Sequence, residues 1–443
     1  MYNNIIERFK YKNIAILGFG KEGKSTYNFL RKHLPTQPLT ILDGNEKLLE
    51  NNDYLNDDKN ITLILGKDYL NNLTEYDYIF KSPGVKIPDE TFNIIKDNIT
   101  SQIGIALELF RDNIIGVTGT KGKSTTSSLI YQVLKDQNID CLLLGNVGNP
   151  IFDYIDDIKE DTKLVIEMSS YQLETAKHSP HISIILNLYE DHLNYHGTLE
   201  EYHYSKLNIY KYQKENDIAL YTSSNDNINK YLSTNKYLSK IIDIDKEFEI
   251  INDDIYYGNI KIYNKNEERY LVGDHNLTNI LFVIKVALLL NLDMNQTIKT
   301  INAFKPLEHR MEYVGEFNGI KYYNDTIATI PEATISCLKA LKVIDTIIFG
   351  GMDRGINYEP LINYFNESNI ENFICMPETG YKLASSIKRG NIYKIETLDE
   401  AVDIAKKVTK TACLLSPAAP SYNAFKNFEE KGNYYKKLIK DEK

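Results

Sequence analysis

The stretch IIGVTGTKGKSTTSSLI, from Ile114 to Ile130, constrains this chain more than any other. A short apolar run ends at Thr118, glycines follow at Gly119 and Gly122, and a helical pattern starts near Lys123. Strand, glycine turn and helix in that order form one half of a parallel α/β unit. Glycines let the backbone fold closely around phosphate oxygens. The helix N-terminus adds free N–H donors and a partial positive charge. The usual spelling, G-x-x-x-x-G-K-[ST], would need glycine where Val117 stands, so this loop is a shortened form. Its geometry does not depend on that glycine. Gly119, Thr120, Lys121, Gly122, Lys123, Ser124 and Thr125 can still cradle a nucleotide, with Lys123 on the terminal phosphates and Ser124 toward a magnesium ion. The bland alternative is an ordinary glycine turn. The run G-K-S-T directly after an apolar strand weighs against it.

The same alternation recurs on both sides. Upstream, the apolar run IAIL precedes Gly18-Phe19-Gly20-Lys21-Glu22-Gly23, a G-x-G-x-x-G, and Asp43 ends the next strand where a ribose-binding acid would sit. Alone this spells a dinucleotide site, and an oxidoreductase is one reading. A loop of that kind needs only a diphosphate, which a uridine nucleotide also carries. Downstream, DTIIFGG, NFICMPE and ACLLSPAAPSYNAF read as strands ending in loops, with helices between them. A chain of 443 residues calls for two or three domains, and the pattern breaks near residues 103 and 304. The expected division is therefore 1–103, 104–304 and 305–443.

Composition narrows the function classes. A net charge of -10 argues against a nucleic-acid binder. Cys141, Cys337, Cys375 and Cys413 are dispersed without a C-x-x-C, which speaks against a zinc ribbon or disulfide framework and fits a reducing cytosol. The N-terminal MYNNIIERFKYKN has no long apolar run and no segment is long enough to span a bilayer, so neither a signal peptide nor a membrane partner is expected. With no evident apolar association helix, a cytoplasmic monomer is the default.

Acids close several strands of the central segment. Glu167 lies in IEMSS, and Glu190, Asp191 and His192 in YEDH. Such groups at strand ends beside a phosphate loop can hold magnesium or its waters, because open α/β sheets bind ligands outside those ends. Any one of them alone would be a solvated loop charge. Lys206, on the predicted helix YHYSKLNIY, reads from composition as a surface cation.

The segments GTKGKSTT, GNVGNP, EMSSYQLE, LNLYEDHLNYHGTLEEYHYSKLNIY, GDHNLTN, FKPLEHRMEYVGEFNGIKYYNDT, PEAT and LLSPAAPSYNAFKNFEEKG together resemble the Mur ligases, the ATP-dependent amide ligases of peptidoglycan assembly. The likeness spans almost the whole chain, and SSYQLE with the SPAAPSYNAFKNFEEKG ending is similar to the glutamate-adding branch. It implies a Rossmann-like N-terminal domain binding UDP, a central P-loop ATPase-type domain, and a Rossmann-like C-terminal domain bringing the amino acid. It implies ligation of glutamate to UDP-N-acetylmuramoyl-L-alanine through an acyl phosphate, with ATP and Mg2+. On this resemblance Gly18 to Gly23, Asp43, Ser82, Pro83, Gly84 and Asn146 would face the sugar nucleotide. Asn276, Asn279, Arg310 and Asp325 would join the loop on ATP. Glu167 and His192 would hold magnesium, together with Ser124 and Lys206, the lysine that the family carbamylates. Lys123, His192 and Lys206 would be catalytic. Thr329, Arg354, Ser421 and Phe428 would meet glutamate. Ile327 and Ile330 stand where the family writes lysine and asparagine, and Arg354 where it writes lysine, so D- and L-glutamate both stay open. A folylpolyglutamate-synthase-like ligase would keep the ATP domain but need neither the first domain nor that ending. A non-catalytic binding protein would not need Lys123, Glu167, His192 and Lys206 intact.

Overall fold

The computed structural model describes residues 3–441 apart from 147, 148, 235, 236, 272, 306, 307, 354 and 423. The described residues form two compact units, one of residues 1–268 with 278–302, the other of 269–277 with 303–443.

The first unit holds two parallel sheets. The strands β1 (Ile14–Leu17), β2 (Leu39–Asp43), β3 (Ile61–Leu65), β4 (Tyr78–Lys81) and β5 (Ile99–Thr100) lie in the order β3-β2-β1-β4-β5. A second sheet uses β6 (Ile114–Thr118), β7 (Cys141–Gly145), β8 (Lys163–Glu167), β9 (Ile182–Ile185), β10 (Ile218–Tyr221) and β11 (Lys240–Asp243), ordered β11-β10-β9-β6-β8-β7. Short apolar runs become strands here because both faces are covered. Ile14 to Leu17 and Ile114 to Val117 are all buried, which selects continuous apolar strands over alternating ones. A helix over Lys21–His33 follows the first glycine loop and one over Lys123–Asp136 the second. The sheet order reverses beside β1 and beside β6, and both glycine loops leave at those crevices.

Three antiparallel strands, β12 (Phe248–Ile251), β13 (Asp254–Tyr257) and β14 (Ile260–Asn264), complete the strands of this unit. The sequence reading did not anticipate them. Their Tyr- and Asn-rich segments are short, and only one or two side chains of each strand are buried.

The second unit is built on β15 (Glu312–Phe317), β16 (Ile320–Asn324), β17 (Thr346–Phe349), β18 (Asn372–Cys375), β19 (Asn391–Lys394) and β20 (Ala412–Leu415). Their order is β15-β16-β20-β17-β18-β19, parallel except for the β15–β16 hairpin. The three runs read as strands, DTIIFGG, NFICMPE and ACLLSP, are β17, β18 and β20. Cys337, Cys375 and Cys413 are buried, in keeping with core packing, and Cys141 is half-buried. Among the described residues no helix is long and apolar enough to cross a membrane.

Candidate active site

Strand register sets the site. Val117 pairs with Glu167 on one side of β6, and Thr118 with Ile185 on the other. The loop leaving β6 is therefore flanked by the carboxylate ending β8 and by the chain leaving β9. Thr118 Oγ1 donates to the Met168 carbonyl at 2.7 Å. On the β9 side Asn187 clasps the loop, its Oδ1 accepting from Lys121 N at 2.8 Å and its Nδ2 donating to Lys121 O at 3.0 Å.

Gly122 precedes the helix with φ +86°, a left-handed conformation that favours glycine. A Cβ there would stand 2.8 Å from Asn279 Oδ1, so the amide read as an adenine contact lies directly against the loop. Asn279 and Asn276 are both buried on the helix Asp274–Leu289. Lys123 Nζ folds back onto the Gly119 and Thr120 carbonyls at 2.8 and 3.0 Å. Ser124 is half-buried and Thr125 buried in the first turn.

Lys206 is not the surface cation that composition suggests. It is 1% exposed on the helix Leu199–Lys211, and its ammonium donates to Gly119 O at 3.0 Å. Burial, with the charge of Lys123, holds its pKa well below the ordinary lysine value, against the pull of Asp191 and Glu167. Glu167 is 1% exposed. Its Oε1 accepts from Asn146 Nδ2 at 2.7 Å, while Oε2 is buried with no hydrogen-bond partner among the described residues. An orphaned carboxylate oxygen beside a phosphate loop fits a cation. Those same described residues gather no group of three or more His, Cys, Asp and Glu side chains in a metal-holding arrangement.

His192 has φ +53° and begins the one-turn helix Leu193–His196. Burial lowers its imidazole pKa, with Asp191 opposing and Lys206 and Lys123 adding to the shift. The sequence missed Tyr202, whose hydroxyl donates to Thr120 Oγ1 at 3.1 Å while its ring lies 4.9 Å from the Lys206 ammonium. It also missed Asn187, although a lone polar residue at a strand's C-terminal end is a legible signal.

At the first loop, Phe19 N donates to Asp43 Oδ2 at 2.6 Å and Ser82 Oγ to Gly18 O at 2.8 Å. A Cβ on Gly23 would sit 2.1 Å from Gly18 O, which is why the third glycine is needed. Gly20 and Lys21 are exposed, Pro83 is half-buried and Gly84 exposed. The Glu22 carboxylate faces away from solvent, where Gln172 Nε2 donates to its Oε1 at 2.8 Å. Beside this region lies a cleft of about 540 Å³ lined by Lys81, Lys86, Glu174, Tyr195, His196 and others.

In the second unit Asp325 is buried and accepts from Ser416 Oγ at 2.9 Å and Met311 N at 3.1 Å. Burial raises its pKa to about 6, with Ser416, Met311, Cys337 and Arg310 restraining the rise. Arg310 and Thr329 are half-buried. Ser421 Oγ is buried without a partner among the described residues. Phe428 opens the helix Phe428–Lys440, its ring 6.0 Å from His309. Arg354 lies outside the described residues.

Comparison with known proteins agrees with this architecture. Residues 117–287 match the Mur ligase middle domain, and residues 309–418 the Mur ligase glutamate ligase domain. The UDP-N-acetylmuramoylalanine--D-glutamate ligase of Clostridium kluyveri is 32% identical over 99% of both chains. The protein of that name from Clostridium perfringens is 31% identical over 99% of this chain and 98% of its own. Among solved structures, the MurF ligase of Thermotoga maritima in complex with ADP superposes with a TM-score of 0.57 at 18% identity, covering 98% of this chain and 96% of that one. MurC of the same organism gives 0.57 at 18%, over 96% and 98%. With two family domains matched, a full-length likeness above 30% identity and the shared fold, this chain belongs to the Mur ligases and is an ATP-dependent ligase.

Proposed function

We propose that the chain joins D-glutamate to UDP-N-acetylmuramoyl-L-alanine in the cytoplasm, using ATP. Full-length similarity to ligases named for that reaction supports the substrates. The observation that carries the chemistry is the convergence of Lys123 and Lys206 on Gly119 O beside the orphaned Glu167 oxygen. A carboxylate does not condense with an amine in water, because oxide is a poor leaving group. Transfer of the γ-phosphoryl group to the acceptor carboxylate forms a C–O–P link and releases ADP. Attack by the glutamate amine then forms the amide, expels phosphate and sheds one proton.

Within this reading the loop amides and Lys123 bind and neutralise the triphosphate. Asn276 and Asn279 face adenine, and Arg310 and Asp325 reach the nucleotide. Gly18 to Gly23, Asp43, Ser82 to Gly84 and Asn146 hold the sugar nucleotide, and Thr329, Arg354, Ser421 and Phe428 the amino acid. The division into 1–103, 104–304 and 305–443 follows these three ligands. Magnesium, held by Glu167 with Ser124, His192 and Lys206, would supply charge neutralisation on the phosphates. Burial lowers the Lys206 pKa and so favours its free amine, the form that would add carbon dioxide through a new N–C bond and lose a proton to become a carbamate. His192 orients the acceptor carboxylate.

Phosphate release from ATP tests the proposal, with magnesium, UDP-N-acetylmuramoyl-L-alanine and either D- or L-glutamate. Release only with D-glutamate is expected. Release only with L-glutamate would make Ile327, Ile330 and Arg354 a stereochemical switch, and release with neither would sink the reading.

A further inference from the structure

Tyr195 lies three residues beyond His192 on the turn Leu193–His196, and its hydroxyl is a junction. Lys81 Nζ donates to it at 2.9 Å. Two acceptors compete for its single proton, Glu174 Oε2 at 3.1 Å and Val85 O at 3.2 Å. Lys81 and Val85 are the residues immediately before and after Ser82-Pro83-Gly84. One hydroxyl therefore grips both ends of that tripeptide.

The grip is connected on each side. Ser82 is tied to the first glycine loop through Gly18 O and through its own N–H to Leu17 O at 2.8 Å. On the other side, Tyr195 N donates to His192 O at 3.0 Å, and the Tyr195 ring meets Tyr171 edge-on at 4.5 Å. Tyr171 in turn lies 5.1 Å from the His192 ring. The segment carrying Glu174 is held a second time, through Gln172 on Glu22 in the first turn of the helix Lys21–His33.

Packing alone does not explain this arrangement. The Lys81 side chain is 2% exposed and Glu174 is 3.8 Å away, so an ammonium is buried with its nearest counter-charge beyond hydrogen-bond reach. A buried ionic group of this kind is poor value for stability and better suited to fixing register.

We propose that Tyr195 is a positioning residue whose hydroxyl fixes the Ser82–Gly84 loop against the His192 turn. An acceptor held by that loop then presents its carboxylate to the phosphate loop. The inference rests on the assignment of Ser82 to Gly84 to the sugar nucleotide made above.

Tyr195→Phe keeps the ring and removes the junction. The expected result is a rise of about tenfold in KM for UDP-N-acetylmuramoyl-L-alanine and a fall of about tenfold in kcat, with KM for ATP unchanged. A lower melting temperature with unchanged kinetic constants would mean packing only and overturn the proposal. Lys81→Met should give the same pattern, and the double variant should be no worse than the worse single one. Additive losses would show two separate effects and also overturn it. Amide hydrogen exchange provides an arm independent of substrate. In Tyr195→Phe, residues 82–86 and 192–196 should exchange faster together, and loosening of one segment alone, or of neither, counts against the proposal. If the wild type shows no ligation at all, the functional reading fails and the exchange result still decides this one. Should Tyr195→Phe fold poorly, Glu174→Gln keeps the shape, removes the charge and is expected to show the same split.

Discussion

Lys123 and Lys206 donate to the same acceptor, the Gly119 carbonyl, one from within the loop and the other from a helix 87 residues further along the chain. Two ammonium groups sharing one oxygen in a buried site is an unfavourable arrangement until an anion arrives. Replacing Lys206 by Met removes a buried amine and keeps its bulk. The expected outcome is unchanged or higher resistance to urea, with phosphate release at least about 100-fold slower. Loss of folding with proportionate loss of activity would contradict it.

The Gly122→Ala substitution places a methyl group at φ +86° and against Asn279 Oδ1. The backbone penalty is about 1–2 kcal/mol before any displacement of the amide. Titration calorimetry should show ADP binding lost or weakened at least about tenfold, with a modest drop in the urea midpoint.

Asp325 should trade stability against activity. Its pKa, raised to about 6 by burial, lies above the unfolded value. From about pH 4 to pH 6 the native carboxyl keeps a proton that the unfolded chain has lost, so this group's contribution falls as pH rises and the full penalty stands above pH 6. That penalty is on the order of 3 kcal/mol. Asp325→Asn should therefore stabilise the protein more at pH 7.5 than at pH 4.5 in urea unfolding, while ATP-dependent phosphate release drops.

Lys431 offers the opposite sign. It is 2% exposed in the last helix, donates to Gly350 O at 3.1 Å, and burial lowers its pKa to about 7. Below pH 7 the native state must bury the charge. Between pH 7 and the ordinary lysine range only the unfolded chain holds the proton, so stability from this group rises with pH. The gain from Lys431→Met should be larger at pH 6 than at pH 9, as read by melting temperature.

Much of this was legible in the residues. Ile14 to Leu17 and Ile114 to Thr118 announce buried parallel strands because both their faces are covered, and glycines at 119 and 122 announce the turn between strand and helix. Glu167 was legible as an acid at a strand end and Lys206 only through family resemblance, but the physics of both was hidden. A lone lysine on a polar-looking helix gives no sign that the fold will bury it against a carbonyl from residue 119. Tyr195, Lys81 and Glu174 escaped for the same reason. Lys81 is 114 residues from Tyr195, and only the packing of the end of β4 against the turn Leu193–His196 brings their polar atoms within reach. The strands from 248 to 264 escaped because half-exposed antiparallel strands lack the continuous apolar run that marks their parallel counterparts.

Asp43 closes its own loop. One oxygen accepts from Phe19 N and the other from Asn45 N at 2.8 Å, so the acid that a dinucleotide fold would turn toward a ribose is turned toward its own backbone. What a visitor meets there is a prefolded rim whose carboxylate oxygens are each already accepting from a backbone amide. A nucleotide that sought this acid would have to displace two backbone amides that already hold it.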